Sequence, residues 1–230
     1  MPYDANALPD VSGLTVAIIG GTGDQGRGLA YRLACAGQRV LIGSRVAERA
    51  DTAAKEISAM PGVTAAVEGG ANPDVSAAAD VVVIAVPWEG HRATVESLRE
   101  PLAGKVVVDC VNPLGFDKQG PFALRVEEGS AVEQAAALLP DSRVCGAFHH
   151  VSAPLLIDPA VERMELDVLV CTEERELVGI VAALAARIPG MRGVYGGRLR
   201  NAHQVEAFTA NLIAINKRYK AHAGIRVTDL

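Results

Sequence analysis

Six residues, Gly21-Thr22-Gly23-Asp24-Gln25-Gly26, carry the strongest chemical signal in the chain. They follow an apolar run, Thr15 to Ile19, and open a stretch with helical patterning. In that strand, turn and helix setting a Gly-x-Gly-x-x-Gly loop cradles a pyrophosphate. Gly21 is expected to allow the tight turn, Gly23 to let backbone N–H groups close on the phosphates, and Gly26 to let helix and strand pack closely. The helix N-terminus beyond them offers free N–H donors and partial positive charge to the anion.

The end of the second strand indicates which dinucleotide is held. NAD binders place an acid there, about 20 residues past the loop, to receive a hydrogen bond from the ribose 2′-OH. Here Ser44 and Arg45 follow Gly43, and Arg49 stands one helical turn beyond Arg45. With no carboxylate to repel it, a 2′-phosphate would take a hydrogen bond from Ser44 and charge-assisted contacts from Arg45 and Arg49. The pattern favours NADP(H); the alternative is a solvated pair of surface arginines.

Three further strand ends read Val86-Pro87-Trp88, Asn112-Pro113-Leu114-Gly115 and His149-His150-Val151-Ser152-Ala153-Pro154. In a doubly wound sheet such ends frame the ligand crevice, and each holds a proline that breaks the ladder. The framed site is apolar with a few polar groups, suited to flat rings. His149 and His150 are candidates for hydrogen bonding or proton exchange with a bound ring, or else for packing and backbone capping. His91, His203 and His222 are expected to be surface or packing residues. There is no Gly-x-Ser-x-Gly elbow, no His-Glu-x-x-His and no Gly-Lys-Ser/Thr loop ending. Hydride transfer between two bound rings asks for alignment more than for a catalytic acid or base.

The elements that must position these residues alternate short β-branched runs with Ala-rich helical stretches, the pattern of a parallel sheet. Strands are expected at Thr15 to Ile19, Arg39 to Ile42, Val63 to Val67, Val81 to Val86, Lys105 to Val111 and Arg143 to Phe148, several apolar throughout as if covered on both faces. Helices are expected at Gly28 to Ala36, capped by Gly37, and at Ala47 to Met60, stopped by Pro61. Residues before Leu14 read as a loose tail. After Phe148 come a run at Asp167 to Cys171, a helix from Glu173 to Arg187, a run at Gly193 to Tyr195, and a long helix N-capped by Asn201 and stopped near Gly224. The fold class is α/β: a Rossmann-type, doubly wound, mostly parallel sheet over residues 14–150, with a smaller C-terminal α/β part over residues 151–230.

Composition narrows the partners. The 230 residues are 50% hydrophobic but only 4% aromatic, and the net charge is −5, which argues against a nucleic-acid stacking platform or a surface that tracks a phosphate backbone. Residues 198–226 nevertheless hold six Lys/Arg against one acid, Glu206, so this segment carries +5 and the remainder −10. That asymmetry suits an anionic second ligand with a charged tail, or a helix with a solvated basic face. Cys35, Cys110, Cys145 and Cys171 lie far apart without a Cys-x-x-Cys; they read as reduced thiols, and no metal site is expected. No signal peptide or membrane span is expected either, so the protein reads as cytoplasmic.

With these features in place, the sequence resembles the NADPH-dependent coenzyme F420 reductases, also called F420:NADP oxidoreductases. The resemblance runs from Val16 onward through GGTGDQGRGLAYRLA, IGSR, VPWEGH, DCVNPLGFDKQGP, GAFHHVSA, IPGMRGVYGGRLRNAHQVEA and NKRYKAHAGIR. It implies a homodimer that moves a hydride reversibly between NADP(H) and an 8-hydroxy-5-deazaflavin, with C4 of nicotinamide facing C5 of the deazaflavin. It also implies that Thr22, Gly23, Asp24 and Gln25 hold the pyrophosphate, and that Val86, Pro87, Leu114, Val151 and Ala153 line the rings. Asn112, His149, Arg198, Asn201, Lys217, Arg218 and Gly224 would meet the deazaflavin coenzyme, whose phosphate and oligoglutamate tail would account for the basic segment. Two rivals, an NADP-linked reductase of a small carbonyl or imine and a non-catalytic NADPH sensor, lack positive support in the residues. For the first, the Lys-x-x-x-Asn pair of β-hydroxyacid dehydrogenases is absent: Lys217 is followed at 221 by Ala.

Overall fold

A computed structural model describes residues 7–230. β1 (Thr15–Ile19) leads through the glycine loop into α1 (Asp24–Cys35), followed by β2 (Arg39–Ser44), α2 (Ala47–Ser58) and β3 (Val67–Ala71). The chain then crosses to the other half of the sheet through α3 (Asn72–Ala78), β4 (Val81–Ile84), α4 (Trp88–Ser97) and β5 (Val106–Asp109). A small hairpin, β6 (Leu114–Asp117) and β7 (Gly120–Ala123), precedes α5 (Ala131–Leu138) and β8 (Arg143–Gly146).

Six strands run parallel in the order β3-β2-β1-β4-β5-β8. Ile19 stands beside Gly43 on one side and Ile84 on the other. Connections leave β1 in opposite directions here, so a crevice opens above the C-terminal ends of β1 and β4. Side chains alternate across the sheet: Ile18 packs with Leu29, Ile42 and Ile57 on one face, Ile19 with Ile84, Leu98 and Leu102 on the other. All eight are at most 1% exposed. The sheet is therefore covered on both faces, as its unbroken apolar strands require.

The C-terminal part comprises α6 (Ala153–Ile157), β9 (Leu166–Cys171), α7 (Arg175–Ala186), β10 (Met191–Gly197), a 3₁₀ turn (Leu199–Asn201) and α8 (Ala202–Tyr219). β9 joins β8 antiparallel, with Gly146 opposite Cys171, and β10 runs parallel to β9. The sheet thus gains two reversed strands, the antiparallel minority of a mostly parallel sheet. β9 ends beside the last residue of β8, and the chain beyond it runs back along β8, where Arg143 at its start pairs with Glu174 and Glu176, each at 2.8 Å. Arg32 of α1, 9% exposed, bolts α6 down by donating to the carbonyls of Leu155, Leu156, Asp158 and Val161 at 2.7–2.8 Å.

Several boundaries differ from the sequence pattern for identifiable reasons. The edge strand forms at Val67–Ala71 instead of Val63 to Val67, because the N–H groups of Thr64 and Ala65 are already spent on the carbonyl of Ala34. Glu68-Gly69-Gly70 has poor strand propensity, yet a Cβ on Gly69 would lie 2.3 Å from the Asp51 nitrogen, so α2 can pack there only against glycine. β4, β5 and β8 each stop two residues early, which leaves Val86, Val111 and Phe148 to the crevice. α1 starts at Asp24, inside the glycine loop, ahead of the expected Gly28. The expected loose tail includes residues 1–6, which lie outside the described residues, but Val11 is buried and Gln38 donates to its carbonyl at 3.0 Å. α8 ends at Tyr219, where Lys220 turns left-handed with φ 54°, and Gly224 packs beyond it against Leu166.

Candidate functional site

The glycine loop forms a tight turn, but the positive φ falls on Gly20, at 82°, and not on Gly21. Gly21 is needed for space instead: its Cβ would lie 2.8 Å from Ile42 Cγ2 and 2.9 Å from the Ile18 carbonyl oxygen. Gly26 performs the expected packing role, since its Cβ would sit 2.6 Å from the Gly20 oxygen and 2.7 Å from the Gly21 Cα. Gly23 has only an ordinary 3.4 Å neighbour inside the protein, so the open side of this position faces outward. Gly23 is also the N-cap of α1, and no side chain caps that helix. The cradle is thus sterically open; the N–H groups of Gly21 and Gly23 are spent on the Ile18 and Gly20 carbonyls at 3.2 and 2.9 Å, and those that open α1 have no side-chain cap. Gln25 is turned inward and donates to the Phe148 carbonyl at 3.2 Å, tying the loop to the end of β8.

At the end of β2 the Ser44 hydroxyl accepts from the Val46 N–H at 3.2 Å. Arg45 and Arg49 are exposed, and neither has an ion-pair partner among the described residues. Arg27, one turn into α1, contrasts with them by pairing with Glu56 at 2.7 Å. A cavity of about 300 Å³ lies between the two helices, lined by Thr22, Arg27, Arg49, Thr52 and Glu56 among others. Loop residue and arginine therefore face one space.

A second cavity, about 260 Å³, lies between α8 and the segment 149–154. It brings His149, Val151 and Ala153 together with Thr209, Asn216 and His222. Thr209, Ile213 and Asn216 follow helical i, i+4, i+7 spacing, a signal present in the sequence but easily read as an ordinary packing face. Asn112 spends its amide within the protein, donating to the His149 carbonyl and accepting from the Thr209 hydroxyl, both at 3.1 Å. His150 Nε2 donates to the Val205 carbonyl at 2.6 Å. His149 has neither ring nitrogen hydrogen-bonded among the described residues, and it is 5% exposed. Burial, with the neighbouring His150, pushes its pKa down to about 3, so it is a neutral imidazole with two unsatisfied positions.

The basic segment divides. Arg198 pairs with Glu173 at 3.3 Å just past the end of β10, whose Gly197 lies beside Cys171. Asn201 lies there too and does not cap α8: its Oδ1 turns back to accept from the Arg198 N–H, because a 3₁₀ turn precedes the helix. Arg226 pairs with Glu165 and Asp167. Lys217 and Arg218 sit about 23 Å from the start of α8 by helix length, exposed, on the last turn beside Asn216 of the cavity. Gly224 follows Ala223 of the cavity wall.

One cluster was not anticipated. His91, expected among surface or packing histidines, is fully buried at the base of α4. Its Nε2 meets Asp109 Oδ2 at 2.6 Å and its Nδ1 meets Gln134 Oε1 at 2.9 Å. Trp88 stacks on the ring at 5.5 Å. Burial opposes its charge, but the Asp109 carboxylate outweighs burial and raises the pKa. Nearby Glu206, 2% exposed, accepts from the N–H groups of Ala131 and Val132 at the start of α5 at 2.9 and 3.1 Å. Burial nonetheless pushes its carboxyl up to about 8.

Comparison with known proteins finds the chain similar to F420-dependent NADP reductases. The family model for NADP oxidoreductases dependent on coenzyme F420 matches residues 15–113. The F420-dependent NADP reductase of Methanothermobacter thermautotrophicus is 41% identical over 223 residues, covering 94% of this chain and 96% of that protein. Its namesake from Methanocaldococcus jannaschii is 38% identical over 223 residues, covering 94% and 99%. A crystal structure of a candidate F420-dependent NADP reductase from Arthrobacter sp. FB24 superposes with a TM-score of 0.77 at 25% identity, covering 94% of this chain and all of that one.

Proposed function

We infer where two coenzymes lie in this crevice from the premise that the chain belongs to the family of coenzyme F420-dependent NADP oxidoreductases. The protein is an oxidoreductase acting between NADP(H) and coenzyme F420. NADP(H), when bound, supplies or takes the hydride that the deazaflavin of F420 gives up or receives; what this chain contributes is binding, alignment and exclusion of water.

The pyrophosphate lies on Thr22 to Gln25 at the start of α1, and the 2′-phosphate on Ser44, Arg45 and Arg49. The observation that carries this reading is the pairing of an uncapped, outward-open Gly23 with two arginines that lack acid partners among the described residues. An anion completes both. The nicotinamide lies along Val86, Pro87 and Leu114, and the deazaflavin enters the cavity of Val151, Ala153, Thr209 and Asn216. His149 offers that ring a neutral donor and acceptor, its two nitrogens having no internal partner among the described residues. Lys217 and Arg218 stand at the cavity's end of α8, placed to meet the anionic tail. In this reading residues 14–150 hold the nucleotide and residues 151–230 the second coenzyme.

A homodimer belongs to the same reading, supported by Phe122, Phe208 and Ile215, which leave 38–44% of their surface exposed on the hairpin and α8. A cytoplasmic site of action is supported by four free thiols; among the described residues no helix is long and apolar enough to cross a membrane.

The test is spectral. Mixing protein, NADPH and purified F420 should bleach the visible absorbance of the deazaflavin. NADPH binding without bleaching at any pH would sink the activity.

A further inference from the structure

We propose that His91 and Asp109 are positioning residues for hydride transfer, a buried pair that fixes the first turn of α4 against the end of β5 and so sets the gap between the two ring sites. The proposal rests on the reading above, in which Val86 and Pro87, just before α4, form one wall for the nicotinamide. Residues 111–114, just beyond β5, form the other.

The hydrogen-bond directions define the pair. Gln134 Nε2 donates to Glu128 Oε2 at 3.1 Å, so its Oε1 faces His91 and must accept from Nδ1–H. The other ring nitrogen faces a carboxylate oxygen at 2.6 Å and donates to it. The Asp109 carboxylate also holds the His91 pKa above its usual value, so both nitrogens carry protons and an imidazolium faces a carboxylate at 0% exposure. Such a pair is held in one geometry because any displacement leaves a buried charge uncompensated. Glu128 in turn pairs with Arg92 on the exposed side of α4.

Each partner reaches towards a ring site. Three residues before His91 on the same helix, Trp88 stacks on the imidazolium with 27° between planes, directly after Pro87. Asp109 uses its second oxygen to accept from the Val111 N–H at 2.9 Å, which fixes the chain as it leaves β5. One residue on, Asn112 holds the His149 carbonyl and Thr209 of the deazaflavin cavity. A single run of contacts thus joins the nicotinamide wall to the cavity beside it. None of these contacts involves the glycine loop or the end of β2, where NADPH gains its phosphate contacts.

Single-turnover hydride transfer to F420 from NADPH and from 4-deuterated NADPH, measured with His91→Gln and Asp109→Asn, tests the pair. In Asp109→Asn the introduced amide can still accept from the Val111 N–H and can donate to a neutral His91, so this variant keeps the hydrogen bonds and loses only the charges. The expected result is a rate lowered roughly tenfold to a hundredfold in His91→Gln and less in Asp109→Asn, an altered isotope effect, and unchanged NADPH affinity. Wild-type rate and isotope effect in folded Asp109→Asn and His91→Gln would overturn the proposal, even if both melt at lower temperature. If His91→Gln does not fold, a wild-type rate and isotope effect in Asp109→Asn alone would overturn it. Wild-type protein that binds NADPH but leaves F420 unreduced would overturn the functional reading as well, and so is distinct from failure of the pair.

Discussion

The crevice is prepared for anions at its two ends by unlike means. At the start of α1 the donors are backbone N–H groups, fixed by the strand and helix that make the turn and bearing no net charge. At the end of α8 they are the side chains of Lys217 and Arg218, exposed on the last turn of a helix. The first arrangement is as rigid as the fold and fails only if the backbone moves. The second depends on charge, so it adapts to a flexible ligand and is screened by salt.

The rigid end should therefore break sharply. Gly26→Ala places a Cβ 2.6 Å from one backbone atom and 2.7 Å from another, neither able to yield without separating α1 from β1. A loss of about 1–3 kcal/mol in chemical denaturation should accompany loss of NADPH binding by calorimetry. Gly23→Ala is the counterpart: its Cβ has 3.4 Å of room inside, so stability should hold within about 1 kcal/mol while NADPH affinity falls. Wild-type affinity in Gly23→Ala would remove the pyrophosphate from this position.

Near its start α8 is anchored to α5 by Glu206, whose effect on stability depends on pH with a definite sign. This carboxyl keeps its proton up to about 8 in the folded state but loses it near 4.5 when unfolded. The folded state therefore binds more protons across that window, and stability falls as pH rises through it, by an amount on the order of several kcal/mol. His149 acts oppositely: with a folded pKa near 3 against 6.5 unfolded, its contribution is lost as pH falls below 6.5. Denaturation midpoints should decline from pH 6 to 8.5, and Glu206→Gln should flatten the decline. An unchanged slope would mean that the carboxyl is ionised in place.

The same contrast explains what the sequence revealed. The glycine loop, Ser44 and Arg45 are local: they lie within 25 residues and owe their arrangement to one strand-turn-helix unit, so spacing alone exposes them. The sheet was legible for the same reason, through its apolar runs. The cavity joins residues 149–154 to residues 209–223, and His91 finds Asp109 and Gln134 through three separate elements. No spacing rule reports such meetings. The reversal of β9 was also hidden, because an apolar run does not state its direction; that reversal is what brings Glu174 and Glu176 to Arg143 at the start of β8. β3 lies four residues beyond the expected Val63 to Val67 since its Gly-Gly pair serves the packing of α2 and not strand propensity.

Between the rigid and the screened extremes lies the proposed 2′-phosphate site, where side chains act from a fixed turn. Arg45→Ala should raise the KM for NADP(H) by a factor corresponding to about 1.5–3 kcal/mol, the worth of a charge-assisted contact. The KM for NAD(H), which has no 2′-phosphate, should hardly change. Arg49→Ala should act in the same direction with a smaller factor. Equal effects on both nucleotides would return these arginines to the solvated surface.

The smallest effect is the most discriminating for the basic segment, because its cations differ in place and not in charge. Lys217→Ala with Arg218→Ala removes two exposed charges beside the cavity proposed for the deazaflavin, whereas Arg198→Ala removes one already paired with Glu173 near the other end of α8. Screening reaches about 10 Å at 0.1 M salt, and α8 separates the two groups by about 23 Å. The double variant should therefore raise the KM for F420 a few-fold at low salt and flatten its salt dependence, and these effects should shrink for a chromophore without its glutamates. Arg198→Ala should match the wild type in all three respects. An Arg198→Ala effect as large as that of the double variant would mean that the anionic tail runs the length of α8, and the rigid and screened ends of the crevice would no longer be separate sites.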